Sequence, residues 1–121
     1  MKLRNDKILI FGGGSGIGKA IAKRFCDAGA KVLITGRNEE KLKNVAEEIN
    51  SKNIYCKVFD ITNIKEHIAL FNEASEILGD LNGFVNAAAE DVKIYQLMMK
   101  ILYALTMPKK FAEKNILLRK F

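Results

Sequence analysis

Several residue types are scarce in this sequence, and each shortage excludes a class of protein. Its 121 residues include two cysteines, one histidine, one proline and no tryptophan. Cys26 and Cys56 have no Cys-x-x-Cys spacing, which excludes a disulfide-rich scaffold, and His67 alone cannot build a zinc site. No apolar run reaches the roughly 18 residues that a membrane-spanning helix needs. Since Met1–Asp6 is too polar and short for a signal peptide, we expect a cytoplasmic protein with no metal site, whose histidine lies on a helix surface.

The positive charge is concentrated at one end of the chain. The net charge is +6, and residues 108–121 carry five basic side chains against one glutamate. Such a tail could contact nucleic acid or an anionic membrane. No aromatic residues alternate with the basic ones, as single-stranded nucleic acid would favour. We therefore interpret the tail as a solvated helix end and expect neither a nucleic-acid nor a membrane partner.

Short apolar runs alternate with segments of helical periodicity along residues 7–86. The runs predict four buried strands, and Asn38 and the Asn63–Glu66 capping box are expected to start two of the three intervening helices. This alternation predicts an α/β fold of the Rossmann type, a doubly wound parallel sheet truncated to about four strands in the order 3-2-1-4 with flanking helices. The predicted strands are Lys7–Phe11, Lys31–Thr35, Ile54–Phe59 and Gly83–Asn86.

A different pattern follows in the C-terminal part. Residues 1–121 are predicted to form a single domain, with a core over 7–89 and a helical segment over 90–121. A broad apolar stripe marks a helix over 92–107, formed by Ile94, Tyr95, Leu97, Met98, Met99, Ile101, Leu102 and Leu105. Because the stripe is wider than one core face needs, and because the fourth strand would be an open edge, we expect self-association through this helix or marginal stability.

A glycine-rich loop joins the first predicted strand to the first predicted helix. Glycines allow tight turns and close approach of phosphates, and a helix start offers free N–H groups and a positive dipole end. The spacing is Gly-x-x-x-Gly-Ile-Gly, and it resembles the fingerprint of the short-chain dehydrogenase/reductase family, as does the sequence from Lys7 to about Ala89. The residues expected to hold the pyrophosphate are Gly12, Gly14, Ser15, Gly16, Ile17 and Gly18. A glycine turn without a ligand is the alternative.

The ends of the other strands bear on which cofactor is bound. Gly36 stands where an acid would favour NAD, and Arg37 follows it, which leaves room and positive charge for a 2′-phosphate. We therefore expect NADP, with NAD as the alternative. The resemblance implies that Asp60 contacts the adenine ring and that Ile61 lines its pocket, although Asp60 could also be a strand-end cap and Arg37 a solvated loop residue. It also implies cofactor contacts from Asn86, Ala87 and Ala88.

Other family features are altered or absent. Phe11 replaces a threonine before the first glycine, and Asn86-Ala87-Ala88-Ala89 replaces Asn-Asn-Ala-Gly, which weakens the hydrogen bonds expected between strand ends. The family's acid/base pair is Tyr-x-x-x-Lys, in which the lysine lowers the tyrosine pKa. No tyrosine here has lysine at the fourth following position, because those positions hold Phe59, Met99 and Met107.

Three functional hypotheses follow from this combination. The first is an NADP-binding chain of the oxidoreductase family, without its own catalytic residues and without turnover as a lone chain. The second is a non-catalytic nucleotide-binding module that docks on a partner through the 92–107 helix. The third is a truncated remnant of a reductase, since family members are about twice as long and the chain ends where the strand with the catalytic serine would begin.

Overall fold

The sheet has five parallel strands in the order β3-β2-β1-β4-β5, in a computed structural model that describes residues 3–14, 16–87 and 118–120. The first four strands confirm the predicted order 3-2-1-4, with β1 pairing with both β2 and β4. The predicted 92–107 helix and its role in self-association lie outside the described residues. The strands are β1 (Lys7–Phe11), β2 (Lys31–Gly36), β3 (Ile54–Val58), β4 (Gly83–Asn86) and β5 (Leu118–Lys120).

Three helices connect the first four strands, and their ends follow from local chemistry. They are α1 (Gly16–Asp27), α2 (Glu39–Ile49) and α3 (His67–Leu78). The predicted cap of α2 is confirmed, because the Asn38 side chain accepts a hydrogen bond from the Lys41 N–H at 3.0 Å. Asn50 ends that helix in the left-handed conformation, with φ of 50°.

Alternating strand residues divide the core between the two faces of the sheet. Leu9 and Phe11 of β1 point to the face covered by α3, and Ile8 and Ile10 point to the face covered by α1 and α2. Because both faces are covered, both sets are buried, which explains the uninterrupted apolar run of β1. Phe11 lies at the centre of an aromatic cluster, with ring centroids 6.0–6.3 Å from those of Phe59, His67, Phe71 and Phe84.

The strand β5 corrects two sequence-based expectations. Residues 84–86 of β4 pair in parallel with residues 118–120, so β4 is not the open edge that we expected. These three residues also form a strand, whereas we expected them to end a basic helical segment. The physical reason is that β4 has unsatisfied backbone donors and acceptors on its outer side, and a parallel partner satisfies them.

The start of α3 corrects two further expectations. His67 is fully buried, not on the helix surface. Its Nε2 lies 2.8 Å from the Ile61 carbonyl oxygen, and the ring is stacked on Phe11 and edge-on to Phe59. The predicted capping box is also wrong, since a 3₁₀ turn over Ile64–Glu66 precedes α3 and the Glu66 side chain makes no capping hydrogen bond. The helix start is therefore positioned by a buried side chain.

Candidate functional site

The predicted binding residues come together at the carboxyl-terminal edge of the sheet. Parallel register places Phe11 beside both Thr35 and Asn86, so the segments that follow β1, β2 and β4 start next to one another. The chain runs outward from β1 to β2 and β3 and then crosses back to β4 on the other side of β1. This reversal is the topological switch point, where open α/β sheets form a binding crevice.

Backbone hydrogen bonds fix the glycine loop to the neighbouring strands. The N–H groups of Gly12 and Gly13 both donate to the Thr35 carbonyl oxygen, at 3.0 and 2.9 Å. On the other side, the Ala87 N–H donates to the Phe11 carbonyl oxygen at 2.8 Å. The strand ends are therefore joined through the main chain even though Phe11 lacks the hydroxyl of the family's threonine.

Three glycines of the loop are required by the structure itself. Gly12 has φ of +79°, a conformation that residues with side chains rarely adopt. A Cβ on Gly13 would lie 2.8 Å from Cγ2 of Ile34, and a Cβ on Gly18 would lie 2.9 Å from the carbonyl carbon of Gly12. These residues let the loop turn, pack on β2 and approach the first turn of α1.

The remaining two described glycines have no such structural need. A Cβ on Gly14 would make an ordinary contact, 3.6 Å from Cβ of Lys41, and a Cβ on Gly16 would have nothing within 4 Å. The adjacent Ile17 is 54% exposed at the start of α1. The loop thus leaves open space beside the helix N-terminus, where N–H groups can bind an anion. Ser15, the sixth predicted loop residue, lies outside the described residues.

Arg37 and Asp60 lie close enough to interact at the ends of β2 and β3. Asp60 accepts two hydrogen bonds from Thr62, from its N–H at 2.9 Å and from its hydroxyl at 2.7 Å. These bonds, with a smaller contribution from the positive charge of Arg37, lower the pKa of the Asp60 carboxyl. Asp60 therefore caps its own loop and also presents a stable negative charge beside an exposed guanidinium.

The other predicted residues are buried at this edge. The side chain of Ile61 is 5% exposed in the core under α3, and its carbonyl oxygen is bonded to His67. Asn86 and Ala87 are buried at the end of β4, whereas Ala88 lies outside the described residues.

Three residues that fix the positions of the site's loops were not predicted from the sequence. Gly13, Thr35 and Thr62 position the loops, and none of them was among the predicted binding residues. Gly13 could have been found, since a glycine run directly after a strand often marks close packing. The double acceptor role of the Thr35 carbonyl had no signal in the sequence, because it depends on how two parallel strands are aligned.

Comparison with known proteins identifies the family. The sequence profile of the short chain dehydrogenase family matches residues 6–102. The chain belongs to this family. Among its relatives, an uncharacterized oxidoreductase of Staphylococcus aureus is 40% identical over 91 residues, which make up 74% of this chain. That stretch is only 39% of the relative's length, so this short-chain dehydrogenase chain spans well under half of the protein it matches.

Solved structures agree with this assignment. A short chain dehydrogenase from Bacillus anthracis superposes with a TM-score of 0.72 at 26% identity, over 97% of this chain and 54% of the other. An actinorhodin polyketide ketoreductase with NADPH gives a TM-score of 0.62 at 22% identity, over 81% of this chain and 42% of the other, and shows the shared fold alone. The Rossmann-like, oxidoreductase-type architecture is therefore established for the short-chain dehydrogenase chain.

The described residues include neither a membrane-spanning helix nor a cluster of metal-ligating side chains. Within residues 3–14, 16–87 and 118–120, no helix is both long and apolar enough to cross a bilayer. The same part of the chain contains no group of three or more side chains that could hold a metal ion.

Proposed function

We propose that the chain binds a nicotinamide dinucleotide at the carboxyl-terminal edge of its sheet, with the pyrophosphate in the glycine loop. The observation that carries this proposal is the open space at Gly16. Gly12, Gly13 and Gly18 are explained by conformation and packing, whereas Gly16 has nothing within 4 Å of a Cβ position. Glycine is a poorer helix former than alanine. Close approach of a phosphate explains why glycine is nevertheless present.

We also propose that NADP(H) is preferred over NAD(H). Gly36 supplies no acid at the end of β2, and Arg37 follows it as an exposed cation. The guanidinium can bind a phosphate with two parallel hydrogen bonds. An acid that bonded the ribose hydroxyls of NAD would instead repel the 2′-phosphate of NADP. The neighbouring Asp60 follows β3 and not β2, and its Oδ1 accepts the hydrogen bonds from the N–H and the hydroxyl of Thr62.

We infer that these 121 residues alone do not transfer hydride. The bound cofactor supplies the hydride chemistry, and a protein acid/base must supply the proton. No tyrosine of the sequence has a lysine four positions later. The expected result is that the absorbance of the reduced nicotinamide stays constant when NADPH and the purified chain are mixed with aldehydes and ketones. Steady NADPH oxidation that depends on the chain would overturn this inference.

Binding is tested by titration calorimetry with NADPH and NADH on three proteins. Wild type is expected to bind NADPH more tightly than NADH. Gly16→Ala should weaken binding of both nucleotides, because the added methyl group occupies the space for the pyrophosphate. Arg37→Ala should weaken NADPH binding by about tenfold and leave NADH nearly unchanged. Equal effects of Arg37→Ala on both nucleotides would contradict the NADP preference, and binding unaffected by Gly16→Ala would contradict the placement of the pyrophosphate.

A further inference from the structure

The helix α2 carries two lysines on opposite sides of its buried face. Leu42 and Val45 pack into the core between the sheet and this helix. Lys41 and Lys43 flank Leu42 in the sequence, and each successive residue turns about 100° around a helix. The two ammonium groups therefore point to different neighbours, although both side chains are exposed.

Lys43 lies on the side of α2 that faces β3. It pairs with Glu39 one turn earlier, with the ammonium nitrogen and the carboxylate oxygen 3.1 Å apart. Burial raises the pKa of the Cys56 thiol in β3, and the positive charge of Lys43 acts in the opposite direction. This lysine is thus near β3 and is already paired.

Lys41 lies on the opposite side, next to the glycine loop. Its Cβ is 3.6 Å from the position that a Cβ on Gly14 would occupy. Glu48, seven residues further along the same face, forms an ion pair with Lys19 of α1, which confirms that this side of α2 faces α1. The main-chain N–H of Lys41 is held by the Asn38 cap, so the base of its side chain is fixed. Lys41 makes no ion pair with any residue that the structure describes.

We propose that Lys41 is a second specificity-determining residue, whose ammonium group binds the 2′-phosphate of NADP(H) from the side of the glycine loop. Arg37 would bind the same phosphate from the end of β2. This inference rests on the proposed function. The adenosine ribose would then lie between Gly14 and Arg37, with one cation on each side.

The charges around this position give a physical reason for two cations. A phosphate monoester carries nearly two negative charges at neutral pH. Glu39 and Glu40 lie in the first turn of α2, directly after Arg37 and Asn38, and repel that phosphate. Lys43 offsets Glu39, and the charge of Lys41 offsets that of Glu40. Lysine suits this task, because a flexible stem can bring its compact charge over the edge of Gly14.

The experiment measures dissociation constants of NADPH and NADH for the full 121-residue chain and three variants. Lys41→Gln removes the charge and keeps the stem, and Lys41→Arg keeps the charge. Lys52→Gln is the control for net charge, because Lys52 is exposed between α2 and β3 at the opposite edge of the sheet. We expect Lys41→Gln to weaken NADPH binding by about tenfold and NADH binding by less than about twofold. Lys41→Arg should restore most of the NADPH affinity. Lys52→Gln should leave both constants within about twofold of wild type.

Each outcome decides the proposal. An equal loss of affinity for both nucleotides would place Lys41 on the pyrophosphate and overturn it. No change in either constant would also overturn it, while the proposed function would stand because wild type still binds. If wild type binds neither nucleotide, the proposed function and this inference fail together. A loss in Lys52→Gln as large as that in Lys41→Gln would show a nonspecific effect of net charge and would overturn the assignment to Lys41.

Discussion

The loop after β1 and the loop after β3 lie on the same edge of the sheet, but different kinds of contact hold them in place. The glycine loop is fixed by its main chain, through the two hydrogen bonds to Thr35 and the close approach of Gly18 to Gly12. The loop after β3 is fixed by side chains, through Thr62 bonded to Asp60 and His67 bonded to Ile61.

The two loops should therefore be sensitive to different changes, one to added side-chain volume and the other to pH. The first loop is sensitive to added volume, because any Cβ at Gly13 or Gly18 meets backbone or packed atoms. It contains no titratable group and should not respond to pH. The second loop has the exposed Thr62, and its Ile61 carbonyl is bonded to the buried imidazole of His67 at the start of α3, so it should respond to pH.

The largest change in the free energy of unfolding should come from adding a methyl group at Gly18. Its Cβ would lie 2.9 Å from the carbonyl carbon of Gly12, and a backbone atom cannot move away as a flexible side chain can. We expect Gly18→Ala to lower the free energy of unfolding by about 2–3 kcal/mol. Urea denaturation followed by circular dichroism measures this change.

Gly16→Ala is the matched control for the glycine loop. Nothing lies within 4 Å of its Cβ position, and alanine is the better helix former. The free energy of unfolding of the variant should be within about 0.5 kcal/mol of that of wild type. If Gly16→Ala destabilised the chain as strongly as Gly18→Ala, the distinction between structural and ligand-facing glycines would be wrong.

The second effect concerns the pH dependence of stability. Burial lowers the pKa of His67 below its ordinary value of 6.5, and the bond to the Ile61 carbonyl opposes this only partly. The unfolded chain therefore takes up a proton at higher pH than the folded chain does. The stabilising contribution of neutral His67 is complete above the unfolded pKa and is lost as the pH falls through that value toward the folded pKa.

Urea denaturation at a series of pH values from about 7.5 to 5 tests this expectation. The free energy of unfolding should fall by at most about 1.4 kcal/mol for each pH unit, the limit for one proton. His67 is the only histidine, so His67→Leu should remove most of the slope in this range. An unchanged slope in that variant would show that other groups cause the pH dependence.

The smallest effect should come from the exposed end of the same loop. Thr62→Val removes the hydroxyl that donates to Asp60 and keeps the N–H that also donates to it. We expect a loss of about 0.5–1.5 kcal/mol in the free energy of unfolding at neutral pH. The effect should shrink in acid as Asp60 becomes protonated, since its lowered pKa makes the charged form the stabilising one. An equally large loss at pH values below the folded pKa would argue against this pairing.

The predictability of the two loops differs for physical reasons. The β1–α1 unit could be predicted because its determinants are local: an apolar run, a glycine spacing and a helical periodicity. The four-strand order also followed from this alternation. For the loop after β3, the position of the strand could be predicted from the sequence. The contacts of Asp60 with Thr62 and Arg37 could be identified only in the folded chain.

Two errors show where local patterns are insufficient. His67 precedes Leu70, Phe71 and Ala74 at helical spacing, so its burial did have a signal, which its polar character obscured. The sequence contains no signal for the strand β5, because one leucine followed by two basic residues has no strand periodicity. The strand it pairs with, β4, lies over thirty residues earlier in the chain.

A nucleotide titration followed by NMR is the most direct test of whether the chain binds a nicotinamide dinucleotide at its glycine loop. Amide resonances of the isotopically labelled 121-residue chain are recorded while NADPH is added. We expect the amides of the glycine loop, Arg37 and Asp60 to shift progressively at submillimolar NADPH, while those of Ile77 and Leu78 at the end of α3 do not. More NADH should be needed for the same shifts. The absence of shifts with either nucleotide at millimolar concentration, or shifts centred away from the glycine loop, would contradict binding at this site.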